Sequence, residues 1–203
     1  MNTSGPTSIP CAAANTTLLS TAQNDALDRI MAFSFDDGEA AFPFAARLAR
    51  ENGWSRDFAE RVIVEYRRFV FLALAAGHPV TPSDQVDQVW HLHLLYTRSY
   101  WHRFCGQTLG GRLDHGPTKG GRQESVKFEN WYERTLDSYR KIFGDPPPDI
   151  WPPSEIRFGD DLHYVRVNRK RNCIIPRARL RILGEVVAGV VVVLLLAVAS
   201  RIF

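Results

Sequence analysis

The sequence contains few cysteines and no closely spaced cysteine pair. Only Cys11, Cys105 and Cys173 occur in 203 residues, and none belongs to a C-x-x-C spacing. This excludes a disulfide framework and the common cysteine-rich zinc motifs, and it fits a reducing compartment. The sequence also lacks a phosphate-binding loop, a dinucleotide-binding fingerprint and a nucleophile elbow, so it indicates no defined enzyme class.

Most of the chain has no large excess of positive or negative charge. The formal net charge is +3, but residues 159–182 carry seven basic and two acidic side chains, and residues 183–203 carry one of each. Residues 1–158 are therefore slightly acidic, at −2, which argues against a nucleic-acid-binding domain and a nucleic-acid partner. The aromatic content of 11%, with five tryptophans, indicates that most of this part folds around a core.

One long hydrophobic run occurs, at the C-terminus. Residues 186–199 are uninterruptedly apolar and would span about 21 Å as a helix, whereas residues 182–203 would reach about 33 Å. A buried core strand or helix is the alternative. The terminal position behind a basic cluster favours a single transmembrane helix over residues 183–203. The positive-inside rule then predicts a single-pass membrane protein with residues 1–181 in the cytoplasm.

The remaining segments give the expected domain organisation. Residues 159–182 would form a basic juxtamembrane linker, which either contacts anionic lipid headgroups or only sets the topology. Residues 1–24 are small and polar and are predicted to be a flexible tail rather than a signal peptide. Residues 25–158 show helical periodicity and no strand alternation. The expected fold is all-α, a compact bundle of four to five helices followed by the transmembrane helix.

Start and stop signals locate the longest helices of this bundle. Ser55 is a predicted N-cap for a helix that stops at Gly77, and Ser83 is the predicted N-cap of a second helix that continues to Phe104. Pro43 precedes a shorter helix. A third long helix, ESVKFENWYERTLDSYRKIFG, follows a glycine-rich connection.

Two polar side chains fall on the apolar faces of these helices. Glu65 lies within the apolar arc of its helix, and burying it unpaired would cost several kcal/mol. A structural ion pair with Arg61 or Arg68 is one explanation. His93 also faces inward, where a core histidine with satisfied hydrogen bonds is the simple alternative. A Glu65–His93 acid–base pair, either catalytic or supporting a nearby site, is the functional hypothesis.

A possible metal site lies on another side of the histidine-containing helix. His91 is about 200° round the helix from His93, and Asp87, four residues earlier, can contact its ring. His115 lies in the glycine-rich loop, from which it can reach back. Asp87, His91 and His115 would supply three ligands for zinc or another divalent ion, with Cys105 or His93 as a fourth. The spacing matches no standard motif such as H-E-x-x-H, so a cluster without metal stays open.

The segment TPSDQVDQVWHLHLLYTRSYWHRFCGQTLGGRLDH resembles the plant and bacterial glycine-rich domain-containing protein family, a domain of unknown function. The pattern is P-S-x-x-V-D-x-x-W-H-x-H followed by Tyr, Cys, Gly and His, and the match covers residues 30–158. The residues that carry it are Pro82, Ser83, Val86, Asp87, Trp90, His91, His93, Tyr100, Cys105, Gly110 and His115. The resemblance implies that the acid, the cysteine and the three histidines form one shared site. It implies no activity, and the long glycine-rich extension of the plant members is lacking here.

Two functions follow as hypotheses. The first is a membrane-tethered cytoplasmic domain of unknown biochemical role that binds a metal or ligand, with Glu65 and His93 as the catalytic candidates. Its metal ligands would be Asp87, His91, His115 and Cys105, and no separate cofactor-binding residue is predicted. The alternative is a non-enzymatic protein-interaction or scaffolding module with an unknown protein partner, in which the buried Glu–His pair is structural.

Overall fold

The computed structural model describes residues 18–36, 38, 40–116, 119–159, 167 and 170–202. These residues form two units, one up to residue 163 and one from residue 164 onward. The described residues contain eight helices and no strand, which confirms the all-α prediction, although the seven helices of the first unit outnumber the four to five expected for the bundle. The helices are α1 (Thr21–Met31), α2 (Phe44–Asn52), α3 (Arg56–Ala75), α4 (Asp84–Leu95), a π-helix (Ser99–Leu109), α5 (Arg122–Phe143) and α6 (Ser154–Arg157) in the first unit, and α7 (Arg177–Ile202) in the second.

Serine side chains cap three of these helices. The hydroxyls of Ser55 and Ser83 accept backbone N–H groups three residues later, at 3.1 and 3.2 Å, as the sequence signals predict. Ser20 forms a capping box with the residue three positions on, so α1 begins inside the segment 1–24 that was predicted to be a tail. Residues 1–17 of that segment lie outside the described residues.

Helix α3 lies at the centre of the first unit and packs against α1, α2, α4 and α5. Its apolar side chains are buried on nearly every side, which is typical of a helix surrounded by others. Fully burying an aromatic or branched side chain contributes about 1.5–3 kcal/mol, so α3 supplies much of the core. The apolar side chains that it buries are Ala59, Val62, Ile63, Tyr66, Phe69, Val70, Phe71 and Leu72.

The single helix predicted from Ser83 to Phe104 is interrupted. Helix α4 ends at Leu95, and the next residue, Tyr96, has φ −86° and ψ 58°, which is not helical. The N–H of Tyr96 donates to the carbonyl of His93 at 2.9 Å, a tight turn that closes α4. The apolar pattern continues through the break, which is why periodicity alone did not reveal it.

The segment after the break is a π-helix of 11 residues. Its buried side chains recur five positions apart, as Ser99 with Phe104 and Tyr100 with Cys105, and this spacing matches i→i+5 hydrogen bonding. The π-helix ends at Leu109 and is capped by Gly110, whose φ of 71° lies in the left-handed region that favours glycine. The wide turn brings Tyr100 and Cys105 onto one face, where they meet the loop that follows.

The predicted transmembrane anchor over residues 183–203 is wrong. Within the part of the chain that the structure describes, no helix combines the length and the apolar character needed to cross a membrane. Helix α7 starts at Arg177, and its first nine residues include three arginines and a glutamate. The uninterrupted apolar run of residues 186–199 spans only about 21 Å, which is shorter than the ~30 Å hydrocarbon core of a membrane. The sequence also predicted a single-pass membrane protein with its bulk in the cytoplasm, and membrane and lipid-headgroup partners. These predictions depended on the anchor and are therefore wrong as well.

Candidate metal centre

Three of the predicted ligands lie together beside α4. The Nε2 atom of His115 is 2.9 Å from Oδ1 of Asp87, and Nε2 of His91 is 3.8 Å from Oδ2 of the same carboxylate. The two imidazole rings are 4.6 Å apart between centroids. One ligand atom from each of the three residues can be chosen so that all lie within 4.8 Å of one another. The helix provides Asp87 and His91 at i,i+4 spacing, and the loop returns His115 to them.

The cluster combines a partly buried carboxylate with an accessible imidazole. The side chains of Asp87 and His115 are 18% and 20% exposed, whereas His91 is 50% exposed. The hydrogen bond with Asp87 raises the pKa of His115, against the opposing effect of burial. An ion can therefore reach the cluster from solvent, and it would compete with a proton on His115.

The geometry fits a small divalent ion. Zinc–nitrogen and zinc–carboxylate distances are about 2.0–2.2 Å, so tetrahedral ligand atoms lie roughly 3.3 Å apart. The separation from Oδ1 of Asp87 to His115 is 2.9 Å and that from Oδ2 to His91 is 3.8 Å, so these two distances bracket this value. Two imidazoles and one carboxylate also suit zinc and several transition metals, and they leave coordination positions for water or another ligand.

The loop that carries His115 is held by both neighbouring helices. The indole ring of Trp90 on α4 meets the His115 ring edge to face, with 4.5 Å between centroids. The Trp90 Nε1–H donates to the Tyr100 hydroxyl at 2.8 Å. That hydroxyl in turn donates to the backbone carbonyl of Leu113, two residues before His115. The position of His115 thus depends on contacts from α4 and from the π-helix.

Cys105 is not one of the three residues that the structure brings together, although the sequence suggested it as a fourth ligand. Its side chain is 2% exposed, and burial raises the pKa of the thiol. Contacts with the Leu113 backbone and the Tyr100 hydroxyl lower this pKa in part. Cys105 therefore lies beneath the loop rather than among the ligand atoms of Asp87, His91 and His115.

His93 lies in a fully buried aromatic cage. The Tyr66 hydroxyl is 3.2 Å from Nδ1, and the Ser99 hydroxyl is 3.5 Å from Nε2. Burial, with a smaller contribution from Arg103, lowers the pKa of His93 to about 3, so the ring is neutral at pH 7. The rings that surround it, with centroids 4.8–6.1 Å away, are Phe33, Phe35, Phe44, Tyr66, Tyr100 and Phe104.

Glu65 belongs to a separate buried network. Its Oε1 accepts from Arg68 at 2.8 Å, and its Oε2 accepts from the Tyr139 hydroxyl at 2.7 Å and from the Trp151 indole at 3.0 Å. The sequence suggested an ion pair of Glu65 with Arg61 or Arg68, and the structure forms the one with Arg68. Among the described residues no hydrogen bond joins Glu65 to His93, so the structure does not bring the predicted acid–base pair together.

Some residues in or near these networks were not predicted. Tyr139 and Trp151 lie 74 and 86 positions from Glu65, so no local pattern connects them to it. Asp84 lies one turn before Asp87 on α4, where burial raises the pKa of its carboxyl and the charge of Asp87 acts in the same direction. The i,i+3 spacing of the two acids was the available signal for Asp84.

Comparisons with known proteins agree with the family resemblance. Residues 30–130 match the model of the UCP032817-like family. Two proteins of Arabidopsis thaliana, glycine-rich domain-containing proteins 1 and 2, are 24% and 22% identical to this chain over 107 residues. Each alignment covers 50% of this chain but only 13% or 14% of the relative, so the chain spans about one seventh of their length. No solved structure matches. The comparisons support the family and do not support the membrane anchor that was added to it.

Proposed function

We propose that this helical domain binds one divalent metal ion, such as zinc, through Asp87, His91 and His115. The observation that carries the proposal is the convergence of the three ligand atoms within 4.8 Å, two from consecutive turns of a helix and one from a returning loop. Packing and hydrogen bonds hold His115 in this position, because Trp90 and Tyr100 restrain its loop. A site that is held in this way favours ion binding, because the loop loses less conformational entropy when the ion binds.

The proposed site is open on the side of His91. A bound divalent ion would supply Lewis acidity and would lower the pKa of a coordinated water, which is the chemistry of metal-assisted hydrolysis. Within the chain, Asp87 would contribute the negative charge that the ion needs, and His115 would give up the proton it shares with Asp87. The half-exposed His91 would mark the side from which an exogenous ligand enters.

Glu65 and His93 have structural roles in this proposal. Each lies in a core network whose hydrogen-bonding groups already have partners, with Glu65 between three donors and His93 between two hydroxyls. The second candidate function, a non-enzymatic protein-interaction module, is favoured by the same observation, because packing alone accounts for both groups. Metal content separates the two proposals.

The full chain should bind zinc at one equivalent after equilibration and removal of excess metal, as measured by elemental analysis. His91→Ala and His115→Ala should each weaken zinc binding more than about 100-fold, beyond the 10–100-fold cost of losing a supporting hydrogen bond. Asp87→Asn should also weaken it strongly, because the charge that offsets the ion is removed.

His102→Ala is the matched control for the histidine variants. His102 is exposed on the π-helix and is not among the three grouped residues. Its replacement should leave both the zinc stoichiometry and the affinity unchanged. A wild-type chain that retains no zinc, or an equal loss of zinc in all three histidine variants, would exclude the proposed site and leave the interaction module.

A further inference from the structure

Leu113 is held through its backbone, although its own side chain is not a candidate ligand. Its carbonyl accepts the hydroxyl of Tyr100, a buried residue of the π-helix. Leu113 lies two residues before His115, in a stretch without helix that follows the left-handed Gly110.

The same hydroxyl connects the loop to the helix that carries the other two ligands. Tyr100 accepts from Trp90 at 2.8 Å while donating to Leu113. Trp90 is the residue before His91, and its ring also touches His115. A continuous set of contacts thus runs from α4 through Tyr100 to the loop, and it fixes the distance between the helical and the loop ligands.

We propose that Tyr100 is a positioning residue of the metal site, which acts on His115 through the backbone of Leu113. This inference rests on the proposed metal function. A glycine-rich loop has many conformations in the absence of restraints, so a hydrogen bond to one of its carbonyl groups reduces the ordering that metal binding must impose.

Removing the Tyr100 hydroxyl tests this contact. In the full chain, Tyr100→Phe should weaken zinc binding about 10-fold, in the range expected for a group that orients a ligand. The control is Tyr132→Phe, which deletes an equally buried hydroxyl that donates to Pro152 at 2.7 Å, away from the loop. Both variants should lower the melting temperature, but only Tyr100→Phe should lower zinc affinity. Equal zinc affinity in the two variants would overturn the inference.

Amide hydrogen exchange measures the loop without metal. Tyr100→Phe should speed exchange at residues 111–115 relative to wild type, and Tyr132→Phe should not. If the wild-type chain binds no zinc, the proposed function fails, and this measurement still decides whether Tyr100 holds the loop. Unchanged exchange in Tyr100→Phe would overturn the positioning role whatever the metal content.

Discussion

Glu65→Gln should lower the free energy of unfolding of the helical domain by about 3 kcal/mol, measured by urea denaturation of the full chain. The substitution keeps the shape of the side chain, so it creates no cavity. It replaces an acceptor oxygen by an NH₂ donor and removes the charge that faces Arg68. Either Arg68 or the pair of Tyr139 and Trp151 then meets a donor instead of an acceptor.

Glu60→Gln on the same helix is the matched control. Glu60 accepts from Arg56 at 2.7 Å, but both side chains are about half exposed, and exposed i,i+4 ion pairs contribute little. Its replacement should change stability only slightly. A stability loss at Glu65 as small as that at Glu60 would mean that the buried network does not hold α3, α5 and the segment that carries Trp151 together.

The Glu65 network shows which part of the core could be predicted. Helical periodicity found a carboxylate on an apolar face and correctly named Arg68, one turn away, as a possible partner. It also suggested His93, because both side chains were expected to face inward. A helical wheel gives the direction of a side chain from its own axis but not the positions of other helices. The partners Tyr139 and Trp151 come from those other segments, and only packing selects them.

More of the metal cluster than of the Glu65 network could be predicted from the sequence. The i,i+4 spacing of Asp87 and His91 places them on one side of a helix, and the glycine-rich loop was expected to return His115. Cys105 was suggested as a further ligand because a regular helix places it on a similar side to Asp87. The chain instead breaks at Tyr96 and continues as a π-helix, which changes the direction of every later side chain. Sequence patterns did not reveal this break.

Residues of the motif that carries the family resemblance contact one another in the structure. Trp90 and Tyr100 connect α4, the π-helix and the loop, while His91 and His115 meet at Asp87. The two histidines of W-H-x-H have different surroundings, because the first lies at the surface cluster and the second in the core. Tyr100 joins these regions, since its ring packs 5.0 Å from the ring of His93 and its hydroxyl holds the loop.

The neutral state of His93 makes the stability of this assembly depend on pH. In the unfolded chain the ring has a pKa near 6.5, whereas burial in the aromatic cage lowers its pKa to about 3. Between these values the unfolded chain binds a proton and the folded chain does not. The contribution of His93 is therefore fully present above pH 6.5, and it decreases as the pH falls toward 3. The expected slope is about 1.4 kcal/mol per pH unit between roughly pH 6 and 4.

Replacing His93 by glutamine should remove this slope. Glutamine can hydrogen-bond with the hydroxyls of Tyr66 and Ser99 but does not titrate, so His93→Gln should be less stable than wild type at pH 7 and should approach it as the pH is lowered to 4. Urea denaturation at several pH values measures the difference. The carboxylates titrate in both proteins and largely cancel in it. His102→Gln changes an exposed histidine and should keep the wild-type slope. A constant difference between His93→Gln and wild type from pH 7 to 4 would mean that folding does not lower the pKa of the ring, which contradicts its burial among six aromatic rings.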